Sequence, residues 1–171
     1  MILMVILTQM ITNTNNNSPN IRGKLHDAQA AVCSLWSAMG MSEGLVQMLK
    51  AYVGRLRPNF YSLCQFDATS QSCLASEENI LESRMSFPSG HSSFSFTGMG
   101  ILTLFLLGKY SSSSLNGVGA PKLPRLVCFV PLLYSTFVAC SRLVDNWHHP
   151  SDIIAGSLIG LFLSWVGYHL W

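Results

Sequence analysis

An all-α, multi-pass membrane bundle of about four spans is the fold this sequence predicts, on three observations. Of 171 residues, 49% are hydrophobic and 11% charged, less than half of the roughly 25% charge in an ordinary soluble domain. Residues 153–171 read IIAGSLIGLFLSWVGYHLW, with no Asp, Glu, Lys or Arg, which is about the length that crosses a hydrocarbon core as a helix. Two further apolar stretches precede it. Ten basic against eight acidic residues leave a formal charge of +2, too little for a surface dominated by nucleic-acid binding, and the chain is too apolar for disorder. One membrane-embedded unit of about four spans, at roughly 20 residues each, uses up this length, and two independent domains do not fit.

Taken in order, the opening MILMVILTQMI is strongly apolar but too short to cross, and it lacks the basic leader of a secretory signal. It reads as a remnant or an interfacial segment. Residues 13–20 (NTNNNSPN) form a polar loop. Residues 28–49 are the first candidate span, although Glu43 and several small polar residues make a soluble helix nearly as compatible. Residues 92–108 are the second, rich at the start in the Ser, Thr and Gly that let membrane helices approach closely. Residues 111–119 (SSSSLNGVG) are a loop. Residues 124–144 are the third span, in which Pro131 is tolerated as a kink, and residues 153–171 are the fourth. No internal repeat is present.

If these helices alternate in direction, residues 12–27 and 108–125 share one side of the membrane, and residues 50–90 and 145–151 share the other. The basic residues then tie: Arg22, Lys24, Lys109, Lys122 and Arg125 against Lys50, Arg55, Arg57, Arg84 and Arg142. The positive-inside rule therefore gives no orientation. The second group clusters with histidines and a Pro-Ser-Gly turn, as cations serving a site would, so the first side is placed in the cytoplasm. Cys33, Cys128 and Cys140 fall in helices as small apolar fillers. Cys64 and Cys73 share the long loop, where a disulfide and two free thiols both fit, the former if that side is extracytoplasmic. Asn16-Asn17-Ser18 matches a glycosylation sequon, but it lies on the cytoplasmic side and Pro19 follows it.

Three short stretches at one membrane edge carry the chemistry. In KAYVGRLRP, Lys50 and Arg57 stand seven residues apart, two turns along one face if the helix continues; positive charges flanking a span would look the same. In FPSGH, Pro88, Ser89 and Gly90 precede a helix and would turn free backbone N–H groups, a hydroxyl and the positive dipole end toward one point, as phosphate sites do. An ordinary cap followed by an interfacial His91 is the simpler alternative. In SRLVDNWHHPSD, Asp152 sits just inside the last helix if Pro150 opens it, within reach of an imidazole one turn earlier. A carboxylate accepting the Nδ1 proton would leave Nε2 free as a nucleophile or base, while a polar turn with solvent-facing histidines is the alternative.

Together these stretches supply Lys50, Arg57 and Arg142 as cations, a helix N-terminus at Ser89 and Gly90, and two histidines, one backed by Asp152. That is an inventory for phosphoryl transfer. No acidic cluster is placed to hold magnesium. Asp67, Glu77, Glu78 and Glu82 are scattered along the loop and read as a solvated face.

The three stretches resemble the tripartite signature KxxxxxxRP, PSGH, SRxxxxxHxxxD of the phosphatidic acid phosphatase type 2 superfamily. Lys50, Arg57 and Pro58 fill the first motif, Pro88 to His91 the second, and Ser141, Arg142, His148 and Asp152 the third. The wording around them is most similar to the lipid phosphate phosphatase branch. The resemblance implies a metal-independent, cofactor-free hydrolysis in which His148 attacks phosphorus, Asp152 orients its ring and His91 protonates the leaving alcohol. Lys50, Arg57, Ser89, Gly90 and Arg142 would hold the phosphoryl oxygens. Only motif spacing selects His148 over His149, and Arg55 lies outside the signature.

The resemblance also implies a six-helix fold whose last four helices correspond to the spans here. It implies lipid phosphates such as phosphatidate, lysophosphatidate or diacylglycerol pyrophosphate as substrates, in the endoplasmic reticulum or plasma membrane, with the site extracytoplasmic or lumenal. Membrane lipids are the expected surroundings, with a homo-oligomer or a pairing with full-length relatives as possible assemblies and no nucleic-acid partner. A polyprenyl diphosphate or sugar phosphate phosphatase on the same scaffold is the alternative among enzymes. A truncated, silent membrane regulator is the alternative from another class. A haloperoxidase fits poorly with the uncharged final span, and a transporter would place ionisable residues in mid-span.

Overall fold

The computed structural model describes residues 21–114 and 122–171, and the side chains of all but a few residues beside the two gaps. The opening apolar segment, the loop at 13–20 with its sequon, and residues 115–119 of the second loop lie outside the described residues. So do the side chains of Arg22, Lys24 and Lys122.

In chain order the elements are α1 (Ile21–Val53), α2 (Phe60–Cys64), the two-residue strands β1 (Phe66–Asp67) and β2 (Ser72–Cys73), α3 (Glu77–Ser83), α4 (Gly90–Ser114), α5 (Lys122–Val127), α6 (Val130–Val144) and α7 (Pro150–Leu170). The strands pair antiparallel with Phe66 opposite Cys73, and a Cys64–Cys73 disulfide closes the hairpin onto α2. Of the two readings open for these cysteines, the structure contains the paired one.

α4 is the central helix. It packs most extensively on α7, then on α6, and α1 lies against both α7 and α4. The contact is close because small residues line it. A Cβ on Gly160 would lie 2.8 Å from Phe96 Cβ and 3.0 Å from the Thr97 nitrogen, and one on Gly156 would strike the Ser89 carbonyl. Glycine at these two positions lets the α7 backbone sit on α4, the usual way membrane helices gain packing without a hydrophobic drive between them. Hydroxyls bridge α1 and α4 in the interior: Ser42 Oγ and Ser93 Oγ are 2.7 Å apart, and Thr97 Oγ1 donates to Ser42 Oγ at 3.1 Å. Apolar clusters of Leu35, Ala38 and Ile101, and of Phe96, Ala139 and Ile153, fill the rest.

Among the described residues three helices are long and apolar enough to cross a membrane: Gly90–Ser111, Arg125–Val144 and Pro150–Leu170. The fourth expected span, residues 28–49, is not among these three. It forms part of a 33-residue helix that packs into the bundle, but its serines and Glu43 keep it less apolar than the others. Ser34 and Ser42 face inward at 1% exposure each, and Glu43 accepts a hydrogen bond from Gln47 on the outer face.

Other boundaries moved for local reasons. α4 continues through Ser114, so Ser111 to Ser114 are helical rather than loop. The span at 124–144 is interrupted by a turn at residues 128–129 and not kinked at Pro131. α5 stops before Cys128, and α6 starts afresh with Phe129 as its cap and Pro131 in its first turn, where a missing N–H costs nothing. α7 begins at Pro150 and not Ile153, which places Asp152 in its first turn as the sequence anticipates. The alternation of direction holds. Lys109 Nζ meets Asp27 Oδ2 at 2.6 Å at one end of the bundle, and Arg55 Nη1 meets Asp152 Oδ1 at 2.6 Å at the other.

Candidate active site

The first motif is not one helical face. α1 ends at Val53, where Gly54 takes φ +59° and its N–H closes on the Lys50 carbonyl at 3.2 Å. A left-handed residue after the last turn is a standard helix stop, and glycine adopts it without a Cβ penalty. Lys50 therefore stands on the last turn, while Arg57 reaches the site after a sharp reversal. The reversed segment is pinned to α3 and the segment after it. Arg57 N donates to the Ser83 carbonyl at 2.9 Å, and Ser86 N to the Arg55 carbonyl at 3.0 Å.

Arg57 is 7% exposed. Its Nε donates to the Glu82 carbonyl at 3.0 Å, its Nη2 to Glu82 Oε1 at 3.2 Å, and its guanidinium lies 4.7 Å from the centre of the Trp147 ring. The stacking and the fork of hydrogen bonds fix its plane.

The second motif opens α4. Ser89 is fully buried, and its hydroxyl accepts from Ser92 N at 3.4 Å and from the Ser92 hydroxyl at 3.1 Å. It caps the helix and is not among the residues lining the cavity that the three motifs enclose. Gly90 lies beside Lys50, since a Cβ there would sit 3.4 Å from Nζ. The Phe87–Pro88 peptide bond is cis.

The third motif is shaped by the end of α6. Asn146 takes φ +55°, and Trp147 N donates to the Arg142 carbonyl at 3.1 Å, a turn that asparagine tolerates. It sets Trp147 against Arg57 and puts His148 indoors at 3% exposure. Arg142 is held by Ser141 Oγ at 3.2 Å and Asp145 Oδ2 at 3.1 Å.

These stretches enclose a cavity of about 240 Å³ lined by Lys50, Arg57, Glu82, His91, Arg142, Trp147 and His148. Five of the eight expected site residues thus meet at one cavity. Three cations face a single carboxylate, so the cavity suits an anion. Glu82 is 55% exposed, in keeping with a solvated face, and its carboxylate also joins the cavity wall and the Arg57 ion pair.

Asp152 stands behind this wall, fully buried. Its Oδ1 accepts from Arg55 Nη1 at 2.6 Å, and its Oδ2 from Ser86 Oγ at 2.5 Å and His149 N at 2.9 Å. The expected short bond from His148 Nδ1 to Asp152 is absent, the separation being 3.8 Å. Nδ1 instead sits 2.7 Å from the Ser86 carbonyl oxygen. A carbonyl only accepts, so Nδ1 carries the hydrogen, and in the neutral ring Nε2 keeps its lone pair. Burial, with Arg57 and Lys50 adding to it against the Ser86 carbonyl and Asp152, lowers the His148 pKa to about 4. The ring is therefore neutral near pH 7.

His149 is separated from His148 by geometry as well as by spacing. Its Nε2 lies 3.2 Å from the Leu56 carbonyl, and it caps α7 instead of lining the cavity. Sequence reasoning missed Arg55, Glu82, Ser86 and Trp147. Trp147 lies inside the third motif and carried some signal; a main-chain carbonyl at Ser86 carries none.

Comparison with known proteins identifies a family for the chain. Residues 31–171 match the family model described as the PAP2 superfamily. The chain is 33% identical over 149 residues to "Lipid phosphate phosphatase 2" of Arabidopsis thaliana, covering 82% of this chain and 50% of the relative. It is 40% identical over 136 residues to "PA-phosphatase related-family protein DDB_G0284367" of Dictyostelium discoideum, covering 80% and 46%. It is 35% identical over 129 residues to "Diacylglycerol pyrophosphate phosphatase 1" of Saccharomyces cerevisiae, covering 68% and 43%. The chain spans about half the length of these curated relatives. No solved structure matches. The chain belongs to the PAP2 superfamily.

Proposed function

We propose that this member of the PAP2 superfamily is an integral-membrane phosphatase that hydrolyses lipid phosphates, phosphatidate, lysophosphatidate and diacylglycerol pyrophosphate among them, through a phosphohistidine. The observation that carries the reading is His148: neutral, with its Nδ1 hydrogen committed to the Ser86 carbonyl and its ring in the wall of a cavity with three cations. Nε2 attacks phosphorus as the bond to the leaving oxygen breaks, and His91, on the same cavity wall, gives that oxygen its proton. Water then gives a proton back to His91 as its oxygen displaces His148 from phosphorus, releasing inorganic phosphate. Lys50, Arg57 and Arg142 stabilise the charge on the equatorial oxygens throughout, the largest contribution such a site can make. Gly90 lets Lys50 stand against the opening of α4, and Ser89 holds that opening in shape.

The names of the relatives support a lipid-borne phosphate, and the position of the cavity at the end of three apolar helices suits an amphiphile. Metal independence belongs to the same proposal. It is supported by the donor set, since among the described residues no three His, Cys, Asp or Glu side chains converge. An extracytoplasmic or lumenal placement is supported by the Cys64–Cys73 disulfide on the site's side of the bundle, because such bonds persist in oxidising compartments; the endoplasmic reticulum and the plasma membrane both fit.

The test is phosphate release from phosphatidate in mixed detergent micelles with EDTA present. Release is expected from the parent, with inhibition by vanadate, and none from His148→Ala. A strict requirement for magnesium, or equal turnover by His148→Ala, would refute the reading.

A further inference from the structure

Asp152 and His148 are two groups that the signature pairs directly, yet the structure separates them by 3.8 Å and inserts Ser86 between their hydrogen bonds. Ser86 is fully buried and makes three contacts. Its carbonyl takes the His148 Nδ1 hydrogen at 2.7 Å, its hydroxyl donates to Asp152 Oδ2 at 2.5 Å, and its N–H donates to the Arg55 carbonyl at 3.0 Å. Arg55 closes the ring. One nitrogen, Nη1, reaches both Asp152 Oδ1 and Ser151 Oγ at 2.6 Å. The Asp152 carbonyl also accepts from Ser89 N at 3.0 Å, tying the same segment to α7 a second time.

We propose that Ser86 and Arg55, neither of them in the signature, are positioning residues for the nucleophile: the Ser86 main-chain carbonyl sets the tautomer of His148, and Asp152 acts at one remove by gripping the Ser86 hydroxyl under the hold of Arg55. The physical case is one of acceptor supply. Asp152 Oδ2 is already occupied by Ser86 Oγ and His149 N, and Oδ1 by a charged donor. With three of its roughly four acceptor positions taken and the ring 3.8 Å away, Asp152 makes no hydrogen bond to Nδ1, whereas the Ser86 carbonyl at 2.7 Å does. Arg55 is the part of the ring that touches solvent, its side chain being 37% exposed. It holds the carboxylate from the far side and does not line the cavity, so it serves geometry and not phosphate binding.

This inference rests on the reading of His148 as nucleophile, and the experiment separates the two. Ring-nitrogen NMR of the full chain in detergent micelles reports which nitrogen of His148 carries hydrogen, the signals being identified by their loss in His148→Gln. In Asp152→Asn the hydrogen is expected to stay on Nδ1, because its acceptor is still present. Transfer to Nε2 would make Asp152 the direct acceptor and overturn the proposal. That readout needs no turnover, so it stands even if phosphatidate is not a substrate.

The kinetic arm uses Arg55→Gln and Ser86→Ala in the phosphatidate assay. Each is expected to lower kcat about tenfold to a hundredfold, as a misplaced nucleophile does, with KM within about twofold of the parent. Arg55→Lys is expected to recover most of the loss. A rise in KM at unchanged kcat would make Arg55 a phosphate ligand, and an unchanged kcat in both variants would leave the ring without a catalytic role; either result overturns the proposal.

Discussion

Two cavities of the same size, about 240 Å³ each, sit toward opposite ends of this bundle. They are separated along α1 by the stretch from Asp27 to Lys50, roughly 35 Å of helix at the usual rise. The cavity at the far end is lined by Asp27, Ala30, Phe105, Gly108, Lys109 and Tyr168. There the lysine is matched by Asp27 at 2.6 Å, both side chains being nearly half exposed, and the aromatic pair packs edge to face at 5.1 Å. At the site, three cations face one carboxylate, and the wall is backed by groups with no solvent access at all, Ser86 and Asp152. Volume is common to both. What distinguishes the site is an excess of cations on its wall, three to one lining carboxylate, with Arg142 also paired to Asp145 beside it, so that an anion meets charge already in place.

The sharpest way to break that comparison is to remove one cation from each cavity. Arg57→Ala is expected to lower kcat/KM on phosphatidate by roughly a hundredfold or more, the usual loss when a preorganised charge donor is deleted. A loss no greater than that from the matching change at the far end would mean that the two cavities do not differ in kind.

A second, smaller effect follows from the burial of His148. Its pKa is lowered from the ordinary 6.5 to about 4 in the folded chain, so the unfolded chain takes up the proton first as pH falls. The stability this neutral ring contributes is complete above pH 6.5 and is lost between there and pH 4, amounting to about 3 kcal/mol. Thermal unfolding in detergent at pH 7 and pH 4.5 should show this loss in the parent and a flatter response in His148→Gln. An identical acid response in the two would show that the ring is not held neutral by its surroundings.

The smallest effect is expected at the far end. Lys109→Ala should leave phosphatidate turnover within about twofold and stability within about 1 kcal/mol, as for other solvent-screened ion pairs. A loss of activity comparable to Arg57→Ala would make the far cavity functional and sharpen the comparison in the opposite direction.

How much of this was legible in the residues depended on the range of the interaction. The apolar runs of α4, α6 and α7, Pro150 at the head of α7 and the alternation of sides were readable because helix formation and membrane crossing are decided by neighbours along the chain. The spaced motifs brought Lys50, Arg57, His91, Arg142 and His148 to one place correctly. The route was misread at Gly54, where a left-handed turn replaces the second of the two helical turns between Lys50 and Arg57 and delivers Arg57 after a reversal. The polar character of α1 was visible, but not that Ser42 spends its hydroxyl on Ser93 and Thr97.

The chemical inventory and the membrane-bundle class follow from the string of residues, since composition, apolar length and motif spacing are properties of the chain alone. Tertiary structure alone decided which groups answer one another: Glu82 against Arg57, Arg55 against Asp152, and the Ser86 carbonyl against His148. The reason is that these partners lie 25, 97 and 62 residues apart, and that a main-chain carbonyl is present at every residue and becomes specific only when the fold places it.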